Sequence, residues 1–187
     1  MQTDLKAGSI LRAAFPDVDS DDPVSYLGRT GDLFHALSYA WLFWPRLVEL
    51  YGAVFLALHG DDEKEIRERL ATPVGDAHPE WPPMSWKDAV DSYNRFEISY
   101  LFRFWREPSN LISDAAEVLS GVLVQTWRAR LLQAYPERVF SVSVVEYGDA
   151  TELSIEVCQQ SPDLEVPDRW NERRRFIEPP GASRSAP

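Results

Sequence analysis

Cysteine is nearly missing from this 187-residue chain: Cys158 stands alone, so no internal disulfide can form and no thiolate metal site can be assembled from one copy. Lysine is almost as scarce, with only Lys6, Lys64 and Lys87, and 19 basic residues face 30 acidic ones for a formal net charge of -11. Attraction to a phosphate backbone needs clustered Lys and Arg, so the balance argues against nucleic acid as a partner. Long apolar runs are missing too. The longest uncharged stretch, Leu33 to Pro45, stops at Arg46 and is too short to cross a bilayer, which predicts no membrane helix. The opening MQTDLKAGSILRAAFPDVD has no uninterrupted apolar core of a secretory signal, and with one cysteine it reads as a protein of the reducing cytoplasm.

Catalytic signatures are missing as well. The chain has no G-x-x-x-x-G-K-[ST] loop, no G-x-G-x-x-G fingerprint and no glycine-flanked serine elbow. Its three histidines, His35, His59 and His78, stand too far apart for any local ligand pair. Cys158 neighbours Glu156 on its strand, and a carboxylate opposes the lowered pKa that a thiolate nucleophile needs. No cofactor is expected. Asp17, Asp19, Asp21 and Asp22 resemble the start of a calcium loop, but Asp22 stands where the sharp turn needs glycine and Gly28 where the bidentate glutamate belongs. A solvated acidic loop is the better reading.

What the chain does have is apolar mass: 44% hydrophobic residues, 12% aromatic, with seven Trp, seven Tyr and nine Phe. That composition fits one folded core of ordinary size. No internal repeat is visible. Residues 1–30 combine a short apolar patch with the polar run Asp17–Pro23, whose composition suits an exposed, mobile loop. Asp32 is a suitable N-cap for a helix running to Pro45 whose apolar spacings predict burial on most sides. Residues 46–58 fit a hairpin turning at Gly52, with a continued helix as the competing reading. Asp61 to Leu70 reads as a short surface helix with Glu63/Arg67 and Glu65/Arg69 pairs. A proline-rich loop over 72–85 carries His78 and Trp81 and leads into a second short helix to Tyr93. The run 96–105 suits strand or helix equally.

Residues 110–135 carry an apolar stripe at spacings of three and four and predict a long helix closed by Pro136. Residues 139–158 alternate on both sides of Tyr147–Ala150 and predict a hairpin with one apolar face. The expected fold is α+β: an antiparallel sheet including that hairpin, packed against the long helix with further shorter helices. The expected organisation is one α+β domain over 1–160 with a loop-rich N-terminus. Residues 161–187, rich in Pro, Arg and Glu, form a tail or surface strap in which Arg173, Arg174 and Arg175 are solvated or folded back.

An acidic surface steers toward basic partners, and Trp and Tyr are enriched where proteins dock. The expected function is a non-catalytic protein-binding module, of the kind a bacterial immunity protein or antitoxin represents, neutralising a basic partner. Asp17, Asp19, Asp21, Asp22, Trp41, Trp44 and Trp81 are its candidate contacts, and a homo-oligomer is compatible with the same reading. The alternative is an enzyme of unrecognised type, with a pocket built from dispersed His and carboxylates that folding brings together.

Overall fold

A computed structural model describes residues 2–18, 23–59, 62–74, 78, 80–102, 109–147 and 152–180. The architecture is α+β. The long helix α7 (Ser109–Ala134) packs on a three-stranded antiparallel sheet ordered β3 (Arg95–Glu97), β5 (Glu152–Ser161), β4 (Val139–Tyr147). The β4–β5 hairpin pairs Val142 with Val157 and Val144 with Ile155. Val142, Ile155 and Val157 are buried, and they meet Leu123, Trp127 and Leu131, the buried stripe of α7. Alternation on the strands and spacings of four on the helix thus bring two apolar faces together. Of the expected turn Tyr147–Ala150, Tyr147 ends β4 and residues 148–150 lie outside the described residues.

A second, two-stranded sheet joins β1 (Leu47–Leu50) to β2 (Ala53–Leu56). Its turn holds Tyr51 at φ 52 and Gly52 at φ 73, the two left-handed residues of a tight hairpin whose twist suits the strands. Strand β2 is buried on both faces. Val54 and Leu56 join the α7 core, whereas Ala53, Phe55 and Ala57 point into a second core with Ile66, Leu70, Trp86 and Val90. These last four come from α4 (Glu63–Leu70) and α5 (Trp86–Tyr93). Helix α4 starts with a reciprocal capping box between Asp62 and Glu65, and Ser85 caps α5. The Glu63–Arg67 pair forms at 2.7 Å, while Glu65 serves the cap and the Arg69 guanidinium lies 4.8 Å over the Tyr93 ring.

Asn94 ties the two sheets. Its side chain accepts the Leu56 N–H at 3.0 Å and donates to the Val54 carbonyl at 2.8 Å, and its own carbonyl accepts the Val157 N–H at 3.1 Å. The run from 96 resolves into both of its expected alternatives in turn: β3 ends at Glu97 and a short helix α6 (Ile98–Leu101) follows at once. Residues 103–108 lie outside the described residues.

Three regions differ from what composition predicts or leaves open. Residues 2–14 and 23–30 form helices, α1 and α2, in an N-terminus expected to be rich in loop, and most of the run Asp17–Pro23 lies outside the described residues. Alanine raises the helix propensity of α1, Pro23 sits at the first position of α2 where its missing N–H costs nothing, and α1 packs on α7 with Lys6 paired to Asp114 and Glu117. Helix α3 (Leu33–Phe43) forms under its Asp32 cap but contains no buried residue, against the expectation of burial on most sides. Finally, residues 161–180 run across the second core. Trp170 and Ile177 pair in a short ladder between β6 (Trp170–Asn171) and β7 (Phe176–Ile177). Both pack against the second core, with the Trp170 ring 5.2 Å from Trp86 and its N–H donated to the Met84 carbonyl at 3.0 Å. The arginine triplet folds back: Arg175 donates to the Pro82 carbonyl at 2.8 Å, and Arg173 donates to that of Trp81. No described helix is long and apolar enough to cross a membrane.

Candidate protein-docking surface

The exposed helix α3 is built deliberately at both ends. At its start the Asp32 carboxylate accepts the N–H of Phe34 at 2.7 Å and of His35 at 3.0 Å. The His35 N–H, helped by that of Phe34 and by the His35 ring, holds the carboxyl below its usual range. At its end the Trp44 N–H returns to Ala40 and Pro45 prevents continuation. The C-terminal turn is then fastened to the body. Trp127, fully buried, donates its indole N–H to the Leu42 carbonyl at 2.7 Å, and Arg130 donates to the Pro45 carbonyl at 3.2 Å while covering the Trp44 ring at 5.7 Å. Leu42 and Phe43 rest half-buried against the first core.

The opposite face is bare. Leu33, Phe34, Leu37 and Trp41 are 81, 80, 64 and 75% exposed, and Trp44 continues the row half-exposed. At about 100° per residue the four helical positions fall within roughly one quarter to one third of the helix circumference, so they form a single stripe rather than a scatter, and Trp44 stands at its C-cap end. A helix apolar all round normally lies inside a protein. Helix α2, joined to α3 only through Gly31 and Asp32, leaves Val24 and Leu27 exposed as well. A Cβ on Gly31 would stand 2.8 Å from the Leu27 carbonyl oxygen, so the tight connection requires glycine.

The candidate contacts named from sequence therefore divide. Trp41 and Trp44 lie on the stripe. Trp81 is occupied within the chain: His78 stacks on it at 3.8 Å, the Arg175 guanidinium sits 4.6 Å from the ring, and its carbonyl receives Arg173. Asp17 is exposed, whereas Asp19, Asp21 and Asp22 lie outside the described residues. Two rings that follow closely in the chain are committed elsewhere: Phe55 is buried in the second core and Tyr51 packs edge-on to Trp86. Leu33, Phe34 and Leu37 were not singled out from sequence, although the lack of any charged residue from Leu33 to Pro45 was the available signal.

The histidines do not converge. His35 sits beside Asp32 and Tyr39, His78 on Trp81, and His59 against Phe96 and Tyr100. His59 does line an open groove of about 510 Å³ with Arg69, Arg95, Phe96, Glu97, Tyr100 and Leu101. Arg95 is committed there to Glu156, which it meets through Nε at 3.1 Å and through its terminal nitrogen. No serine, threonine or cysteine stands among those lining residues. Cys158 is elsewhere, and its thiol is pushed up to about 12 by burial first and then by Asp91 and Glu156, which favours the protonated form at neutral pH. Among the described residues no group of three or more His, Cys, Asp or Glu is placed to hold a metal ion. Among the described residues the apolar stripe is thus the most distinctive surface. No protein-family model matches the chain, and no curated protein or solved structure matches it either.

Proposed function

We propose that this chain is a non-catalytic protein-binding module that docks a basic partner protein on the α3 stripe, in the manner of an acidic immunity protein or antitoxin. The observation that carries the reading is a capped, anchored helix whose outward face is Leu33, Phe34, Leu37, Trp41 and Trp44. Aromatic anchors of this kind supply most of the binding energy at protein interfaces once water is excluded around them. The net charge of -11 supports a basic partner, because it accelerates encounter with a cationic surface and repels acidic competitors. In this reading the stripe gives residence time and the charge gives rate and selectivity.

An enzymatic reading has His59, Glu97 and Tyr100 lining one groove in its favour, but no serine, threonine, cysteine or second histidine among the described lining residues. The test is affinity capture from the source lysate over a salt gradient, run in parallel with wild type and Trp41→Asp. A stoichiometric basic protein that wild type retains at low salt and Trp41→Asp loses supports the proposal. Equal capture by both forms, or none by either, overturns it.

A further inference from the structure

Resting on the reading of α3 as a protein-docking surface, we infer that in the free protein a second copy of this chain covers the stripe, with the two α3 helices packed antiparallel about a two-fold axis until the partner displaces one copy. Area is the first argument. With a large aromatic side chain offering about 150–250 Å², the five stripe residues leave on the order of 700 Å² of apolar surface bare. A soluble monomer rarely keeps an apolar patch larger than about 300–600 Å², while a stable interface buries about 800 Å² per partner. The stripe is oversized for a monomer and close to the right size for one half of a dimer.

The second argument is charge. From Leu33 to Pro45 no Lys, Arg, Asp or Glu occurs, so two copies can bring these faces together without opposing like charges in the contact. The flanks differ in sign. Asp32 stands at the N-terminal end, held as a carboxylate by its cap bonds, and Arg46 and Arg130 stand at the C-terminal end. A parallel pairing sets Asp32 against Asp32. An antiparallel pairing sets Asp32 of one copy toward Arg46 and Arg130 of the other, twice by symmetry, as a self-complementary two-fold contact requires.

Salt separates this pairing from the docking of a basic protein. Two copies of net charge -11 repel over long range, so screening tightens their association, whereas it loosens attraction to a cationic partner. The experiment is sedimentation equilibrium of the full chain at about 50 and about 500 mM salt, for wild type, Trp41→Asp, Leu37→Asp and Arg46→Asp, with thermal melts confirming that each variant is folded. Expected is a wild-type dimer that tightens with salt, a loss of affinity of about tenfold or more in Trp41→Asp and Leu37→Asp, and a smaller loss in Arg46→Asp. A wild type that stays monomeric at both salts overturns the inference, as does a dimer indifferent to Trp41→Asp. A monomer that captures a basic protein through α3 removes the self-pairing and leaves the functional proposal intact. A monomer whose stripe binds neutral lipid vesicles overturns the pairing in favour of a membrane surface. A dimer broken by Trp41→Asp with no basic partner captured supports the pairing while removing the neutraliser reading.

Discussion

Trp127 donates its indole N–H to the main-chain carbonyl of Leu42 at 2.7 Å, and so joins the fully buried centre of α7 to the last turn of a helix that is otherwise outside the core. The bond explains how α3 can be fixed in direction while its apolar face stays bare. Replacing Trp127 with Phe keeps much of the packing and removes the donor. It should cost about 1–3 kcal/mol for a buried carbonyl left unpaired and a small cavity, and it should raise amide exchange in α3 more than in the β4–β5 hairpin. Equal changes in both regions would show that the bond does not hold α3 in particular.

The stripe itself should be nearly silent in stability. Leu37 and Trp41 pack against neither core, so at chain concentrations low enough to keep the protein monomeric, where self-pairing adds nothing, Trp41→Asp and Leu37→Asp should change the free energy of unfolding by no more than about 0.5 kcal/mol. Urea titration measures this directly. A loss above about 2 kcal/mol, as for a core residue, would mean that the stripe is packed inside the free chain.

Asn94 is a sharper case of a residue whose polarity matters. Leucine at this position fills similar space but leaves the Leu56 N–H and the Val54 carbonyl without partners between two cores. Asn94→Leu is expected to destabilise by about 2–4 kcal/mol, read as a lowered urea midpoint at unchanged slope. A neutral result would show that water replaces the side chain.

At the β1–β2 turn, Gly52 has φ 73 and open space where a Cβ would go. Gly52→Ala therefore meets no clash, only the left-handed backbone, and should cost about 1 kcal/mol. A stability equal to wild type in thermal denaturation would contradict the turn geometry.

Cys158 provides the pH dependence. Its folded pKa is raised from 9.0 to about 12, so the folded state holds its proton more tightly than the unfolded chain. The contribution to stability is complete below pH 9 and is lost as pH rises from 9 toward 12. At pH 8 the thiolate fraction should be roughly a thousandfold below that of an unperturbed thiol, and a thiol reagent should label the folded protein far more slowly than the urea-unfolded one. Labelling at equal rates would place the thiol in contact with water or a cation.

Much of this fold was legible because local pattern and tertiary role agree. The β4–β5 alternation, the α7 stripe, the Gly52 hairpin and the cap at Asp32 all follow from residues within a few positions of one another. The strap was less legible, since Trp170 meets Met84 and Trp86 across more than eighty residues of chain and no periodicity announces such a contact. The N-terminal helices were hidden by short apolar spacing and a polar linker.

The site was half legible. Trp41 and Trp44 stood out as aromatic, but the spacing of α3 says only that it is apolar all round, and a helix of that kind is ordinarily buried. Which face lacks a neighbour is a property of the assembled fold. Trp81 illustrates the converse: it is aromatic and in a loop, yet His78 and Arg175 use it to hold the strap.

Site-directed photo-cross-linking addresses the central claim most directly. A cross-linking residue placed at Leu37, on the stripe, is compared with one at Glu68, on the exposed face of α4, in the otherwise native chain within its source lysate. The account predicts a discrete protein adduct from Leu37 and none from Glu68, with the Leu37 adduct abolished by Trp41→Asp. Adducts of the same pattern from both positions, or none from Leu37, would contradict it.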